Sequence, residues 1–199
     1  ESLLSSVAST LQKQAPLIIS IAAGVRLASI SRIVGKNLAV VRAMPNTPAL
    51  VQAGAAALIA NKNVNAQQRD RAESIMRAVG NAVWLDDETK IDAVTALSGS
   101  GPAYFFLIME VMERAAVKLG LDDEQARLLT LETAFGAAKM AMKSPDSPTI
   151  LRQQVTSPGG TTESALKILL DGDIEKLFSD ALQAANNRSI ELADEFEKN

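Results

Sequence analysis

A mostly parallel α/β sheet followed by an all-helical domain is the fold class this sequence predicts, and three observations carry the prediction. Short β-branched runs at residues 17–21 and 38–42 alternate with helical patterns as far as residue 86, the arrangement that builds a parallel sheet. From residue 87 onward every apolar pattern has the helical period and no strand pattern recurs. With 47% apolar and 22% charged residues, the 199 positions can bury one large core or two small ones. The chain therefore divides into 1–86 and 87–199.

The elements follow in order. Residues 2–14 carry Leu3, Leu4, Val7, Ala8 and Leu11 at helical spacing, and Pro16 ends the pattern. The run at 17–21 reads as a strand covered on both faces, ending in Ala22-Ala23-Gly24. A short helix over 26–33 is closed by Gly35, and a second buried strand at 38–42 leads into Met44-Pro45-Asn46-Thr47-Pro48. A third strand is expected at 55–60 and a short one at 81–85. Between them, residues 65–79 form an amphipathic helix with Ala72, Ile75, Met76 and Val79 on one side. Ligands of such sheets bind at the carboxyl ends of strands, which directs attention to Ala22-Ala23-Gly24 and Met44-Pro45-Asn46.

Beyond residue 86, helices are expected over 88–97, 102–119, 123–143, 149–155, 161–170 and 174–197. Pro102 suits a first helical position, Gly120 the residue past a helix end, and Asp122 with Gln125 a capping box. Tyr104-Phe105-Phe106-Leu107-Ile108-Met109 leaves little polar face, and 134–142 is lined with small residues. A helix apolar all round must be covered all round, which about 110 residues folding alone would struggle to do for two helices. An obligate dimer with interleaved helices is expected.

Composition narrows the function. Twenty basic against 23 acidic side chains give a net charge of −3, and aromatics make up 4%. Nucleic acid is disfavoured, since it calls for the opposite charge balance and for stacking platforms. The sequence has no cysteine, which removes disulfides, thiolate nucleophiles and thiolate metal sites. It has no histidine either, which removes the usual general base and most transition-metal sites; no metal site is expected. Hydride transfer from a bound nicotinamide needs neither group, because the cofactor carries the hard chemistry. No apolar run reaches the roughly 20 residues that span a bilayer, so no membrane partner is expected. Glu1-Ser2-Leu3 lacks an initiator Met and a basic flank; it reads as the middle of a domain and not as a signal peptide. A cytoplasmic location is the expectation.

Three stretches carry candidate chemistry. In Thr156-Ser157-Pro158-Gly159-Gly160-Thr161-Thr162-Glu163 a Pro-Gly-Gly turn feeds directly into a helix. The first backbone N–H groups there, from Gly160 to Thr162, lack helical partners and face out with the positive dipole end. That suits a carboxylate, although a helix start capped by Thr161 or Thr162 explains the same residues. Leu97-Ser98-Gly99-Ser100-Gly101-Pro102 reads as a loop that another group approaches closely, or as a tight turn between packed helices. Met44-Pro45-Asn46-Thr47-Pro48 is either a rigid shelf against a flat ring or a turn in which Asn46 satisfies local bonds. Glu88 reads first as a solvated acid beside a helix start, Lys139 as a snorkelling or ion-paired side chain, and Trp84 as core.

Together these stretches resemble the pyrroline-5-carboxylate reductase family, over essentially all 199 residues. The Ser-Pro-Gly-Gly-Thr-Thr stretch, the segment 92–104 and Met44-Pro45-Asn46-Thr47-Pro48 match its pattern in order. The resemblance implies that 1–86 is a Rossmann-type remnant, the later part of a dinucleotide-binding domain whose glycine-rich phosphate loop is not in this sequence. It implies that 87–199 is an all-α dimerisation and substrate-binding domain. The reaction implied is the reduction of 1-pyrroline-5-carboxylate to L-proline, with NADPH or NADH as cofactor. Ile21, Ala22 and Ala23, with Met44, Pro45 and Asn46, would line the nicotinamide end, and Gln154 would reach towards the cofactor. Ser157, Gly160, Thr161 and Thr162 would hold the substrate, with Thr162 as the catalytic residue bonding the ring nitrogen, and Glu88 would lie near it. The substrate loop and the cofactor domain would meet across a homodimer.

Two other classes stand beside this one. A β-hydroxyacid dehydrogenase would want a lysine in the helix after the Gly-Ser-Gly stretch, but the first lysine there is Lys118, at its far end. A dimerisation scaffold, or a proline-sensing module, would show no turnover.

Overall fold

The computed structural model describes residues 2–198, with side chains from residue 6 onward. Glu1, on which the reading of the first residues partly rests, and the side chains of Leu3 and Leu4 lie outside the described ones. The chain forms two compact units, one of residues 1–102 with 181–199 and the other of 103–180. The sequence pattern divides instead at 86/87, where the strand period stops. The compact unit reaches further because residues 87–102 and the last eighteen or so residues pack with the sheet.

The sheet unit begins with α1 (Ser2–Gln14) and β1 (Ile18–Ser20), then α2 (Leu27–Val34), β2 (Val40–Met44) and a 3₁₀ turn at Thr47–Val51. There follow β3 (Gly54–Ala60), α3 (Ala66–Arg77) and β4 (Gly80–Trp84). The strands lie in the order β1-β2-β3-β4. β1 pairs parallel with β2 and β3 parallel with β4, but β2 and β3 are antiparallel. The reversal has a local cause. Both parallel pairs are joined through a helix, whereas the link between β2 and β3 holds one 3₁₀ turn, too short for a parallel crossover of a dozen or more residues.

Strand alternation supplies two cores. Val40, Ala57 and Ile59 face α2 with Ile30 and Val34, while Val41, Ala43 and Leu58 face α3 with Ala72 and Met76. Asn65 caps α3 through a capping box with Gln68. Ile75, expected on the buried side, is half exposed, because the buried stripe narrows to Ala72 and Met76. β1 is half-buried rather than covered on both faces, since it is the outermost strand of this sheet.

The rest is helical: α4 (Lys90–Val94), a π turn at Thr95–Gly99, α5 (Gly101–Lys118), α6 (Asp123–Lys143), α7 (Pro148–Gln154), α8 (Thr161–Asp171) and α9 (Ile174–Lys198). The predicted Asp122–Gln125 capping box is formed. The Gly-Ser-Gly stretch is not a free loop: Gly99 ends that π turn and Gly101 opens α5, so Lys90–Lys118 runs as one 29-residue helical stretch. Its most apolar 18-residue window has a mean hydropathy of 1.2, so by length and composition it is long and apolar enough to cross a membrane. Reading Pro102 as a helix start hid this length. Among the described residues of 103–180, Ala126 and Thr130 alone are buried, while Phe105, Phe106, Leu128, Phe135 and Met142 are exposed.

Candidate active site

The parallel pairing of Ile18–Ser20 with Val40–Arg42 brings the carboxyl ends of β1 and β2 to one edge of the sheet. Ile21, Ala22 and Ala23 are exposed there, and Met44, Pro45 and Asn46 are half-buried in the neighbouring connection. The turn after β1 closes at Gly24 with φ +71°, a conformation glycine adopts without steric cost. The six residues expected to line a nicotinamide thus form one uncharged ledge on one unit.

Asn46 uses both ends of its carboxamide within that ledge. Its Oδ1 accepts from the Ala55 N–H at 2.9 Å, and its Nδ2 donates to the Ser98 carbonyl at 3.0 Å. Next to it the Met44 methyl lies so close to Gly99 that a Cβ there would stand 2.7 Å away. The close approach expected of the Gly-Ser-Gly stretch is therefore made by Met44.

Glu88 precedes α4, as expected, but its carboxylate turns to another helix. Oε1 accepts from the Leu27 backbone N–H and from the Arg42 guanidinium, each at 2.8 Å. Arg26, at the N-cap of α2, offers no side-chain cap, so Glu88 fills that role from 61 residues away. It also neutralises Arg42, whose side chain is 4% exposed against 26% for Glu88. Arg42 was not foreseen; an arginine inside a β-branched run was the available signal, since a buried charge needs a partner.

In the helical unit, Ser157-Pro158-Gly159-Gly160 closes as a tight turn. The Gly160 N–H donates to the Ser157 carbonyl at 3.0 Å, and Gly159 sits at φ +71° after Pro158, as a type II turn requires. A Cβ on Gly160 would meet the Ser157 carbonyl at 3.0 Å. Gly160 is the N-cap of α8 and no side chain caps the helix. Two expectations change here. The Gly160 N–H is spent in the turn and cannot bind an anion, and neither Thr161 nor Thr162 is the cap. Glu163 instead accepts from the Gly159 N–H at 2.7 Å, a contact that its place three residues after the cap could have signalled. The N–H groups of Thr161 and Thr162 stand in the first turn of α8, where no intrahelical acceptor exists. Their hydroxyls make no hydrogen bond within the described chain, with Thr161 exposed and Thr162 half-buried. The Ser157 side chain is exposed as well.

The remaining candidates have local partners. Gln154 Nε2 donates to Asp146 at 3.0 Å, tying the end of α7 to the connection before it. Lys139 stacks over Phe135 at 5.3 Å rather than forming an ion pair. Trp84 is half-buried, donating to Glu73 at 2.7 Å beneath the Arg69 guanidinium. The structure gathers the ledge residues in one unit and Ser157, Gly160, Thr161 and Thr162 in the other.

Residues 88–192 match the family described as pyrroline-5-carboxylate reductase dimerisation. Over 183 residues the chain is 54% identical to a pyrroline-5-carboxylate reductase of Pseudomonas aeruginosa, covering 92% of this chain and 67% of that protein. The corresponding enzyme of Haemophilus influenzae is 44% identical over 88% of this chain and 65% of its own length. The chain thus spans about two thirds of the curated relatives it matches. Among solved structures, a pyrroline-5-carboxylate reductase from Coxiella burnetii superposes with a TM-score of 0.92 at 50% identity, over 96% of this chain and 71% of that one. A Plasmodium falciparum pyrroline carboxylate reductase with NADP bound gives 0.89 at 33% identity, over 96% and 72%.

Proposed function

Because the chain belongs to the pyrroline-5-carboxylate reductase family, we propose that it serves the reduction of 1-pyrroline-5-carboxylate to L-proline, with NADPH or NADH as hydride donor. The observation that carries this reading is the start of α8, where two adjacent N–H groups and two unengaged hydroxyls follow a glycine turn. A carboxylate on a small ring finds there the donors and the positive helix end it needs. The chain lacks His and Cys, and this reaction calls for neither.

Residues Thr161 and Thr162 would hold the substrate carboxylate through their N–H groups, with the exposed Ser157 hydroxyl a further donor. The Thr162 hydroxyl would hydrogen-bond the ring nitrogen and keep the C=N bond in one orientation. One hydride on the carbon of that bond and one proton on the nitrogen complete the product; the proton comes from the Thr162 hydroxyl, from water, or is already on the imine. The ledge of Ile21, Ala22, Ala23, Met44, Pro45 and Asn46 carries no charged side chain and its first three residues are exposed, which fits the flat, uncharged amide end of a reduced nicotinamide. When bound, that group supplies the hydride. Holding the reactants in register and stabilising charge supplies most of the rate in such a site.

The apolar surface of 103–180, with Phe105, Phe106 and Phe135 exposed, would be covered by a second copy. Glu88, whose Oε1 is engaged by Arg42 and Leu27, would act near the substrate only through Oε2.

The test is Thr162→Ala, following loss of reduced-nicotinamide absorbance with 1-pyrroline-5-carboxylate in the chain and in a version extended to its relatives' length. We expect kcat/KM to fall by the factor that corresponds to losing about 1–3 kcal/mol of transition-state stabilisation, the range for one strong or orphaned buried hydrogen bond. An unchanged value would take Thr162 out of the mechanism.

A further inference from the structure

Pro102 has no N–H, so it cannot donate to the carbonyl four residues back, that of Ser98. An unpaired carbonyl inside a helix costs free energy unless another donor reaches it. Here the donor is the Asn46 side chain, whose Nδ2 stands 3.0 Å from the Ser98 oxygen. The orientation of the amide follows from both contacts, because the Ala55 N–H needs an acceptor on the opposite side. Around this bond the helix widens. The Ser100 N–H donates five residues back, to Thr95, at 2.8 Å. The Thr95 and Ser98 hydroxyls each bond the carbonyl four residues before them. Glycine at 99 leaves room for Met44. Such π turns are rare and persist where the surroundings hold them.

We infer that Asn46 is a positioning residue, and that the pair Asn46–Pro102 fixes the π turn Thr95–Gly99 against the end of β2. Pro102 creates the vacancy and Asn46 fills it, so the serine-bearing turn is held at one height beside the Met44–Asn46 ledge. This deepens the reductase reading and rests on it for its catalytic consequence alone. With both ends of its carboxamide engaged, Asn46 has no group to spare for the cofactor amide. The resemblance places Asn46 among the residues lining the nicotinamide end; within that ledge the geometry makes its side chain act through Ser98 and Ala55.

The test compares Asn46→Asp, which keeps the acceptor for Ala55 but loses the donor to Ser98, with Asn46→Asp in a Pro102→Ala background, where a backbone N–H is returned to the helix. Hydrogen exchange of the amides at 99–101 reads the turn in the chain itself. Steady-state kinetics read the consequence in the version extended to its relatives' length. We expect Asn46→Asp to speed exchange at 99–101 by about tenfold and to lower kcat by about tenfold, leaving KM for the reduced nicotinamide within about twofold. The Pro102→Ala background should recover at least half of both losses. Unchanged exchange, or no recovery with Pro102→Ala, overturns the pairing. A raised KM for the cofactor with kcat intact overturns the positioning role and restores Asn46 as a cofactor contact. If the extended protein shows no turnover at all, the reductase reading fails, and the exchange data still decide the pairing.

Discussion

Removing the Glu88 carboxylate tests a contact that sequence patterns do not reveal. Glu88 accepts two hydrogen bonds through one oxygen, from a guanidinium whose side chain is 4% exposed and from the first N–H of α2. In Glu88→Ala both donors lose their acceptor. Breaking a buried ion pair at one end costs about 3–5 kcal/mol; with Glu88 itself 26% exposed, water reaches the vacated position and the lower end applies. Loss of the helix cap adds about 1 kcal/mol, giving about 4 kcal/mol in all. Glu88→Gln keeps a neutral acceptor for both donors and should cost about half as much. Arg42→Met, which leaves Glu88 capping α2 and puts an apolar side chain in the buried position, should cost least, about 1 kcal/mol. Urea unfolding at one fixed protein concentration reads the series, with Glu88→Ala lowering the midpoint by about 1 M or more. If Ala and Gln variants both unfold within about 0.5 kcal/mol of the parent, the clip is not structural and Glu88 is better placed at the substrate.

Three further outcomes follow from particular contacts. The Arg77 guanidinium first, and then the Trp84 indole N–H, hold the Glu73 carboxyl below its ordinary value of 4.5. A lowered folded-state value contributes stability that is present above the unfolded one and lost as pH falls through the folded one. Glu73→Gln should therefore flatten the decline of the urea midpoint below pH 4.5, and an identical acid limb in both proteins would contradict this. Gly160→Ala places a methyl 3.0 Å from the Ser157 carbonyl; it should weaken proline binding, read by calorimetry, about tenfold, while α8 keeps its helical circular dichroism. Phe106→Asp puts a charge on the apolar face of α5 and should turn dimers into monomers in sedimentation at micromolar concentration; an unchanged sedimentation coefficient would show that this position lies outside the interface.

The fold was legible wherever a local period decides it. The β-branched runs at β1 and β2, the capping pair Asp122 and Gln125, and the glycines closing α2 and α5 could each be read from a few neighbouring residues. Contacts made by residues far apart in the chain could not. The antiparallel turn of β3 depends on the length of the link after β2, and the acid that caps α2 stands 61 residues downstream. The π turn was hidden because Pro102 after two glycines normally marks a helix start; it continues one here because Asn46 supplies the missing bond to Ser98, 52 residues further along the chain. Within the candidate site, the turn at 157–160 and its two threonines were visible in the sequence. The engagement of the Gly160 N–H was not, because it depends on how Gly159 bends the chain.

The second half of α9 returns to the sheet unit: Asp194 and Glu197 clasp Arg26, Ser189 bonds Asp92, and the Leu192 backbone lies against Gly24. Arg26 and Asp194 are 168 residues apart, with the whole of 103–180 made between the two parts of that unit. At the roughly 5–20 residues per second of protein synthesis, a nascent sheet waits about 4–16 seconds for its final helix. During that interval the surface that α9 will cover is open while the apolar helices of 103–180 are being made. Closing so long a loop is also slow in itself. Translation speed through this interval, and any chaperone acting in it, should therefore govern the yield of folded protein more than the stability of the finished unit does.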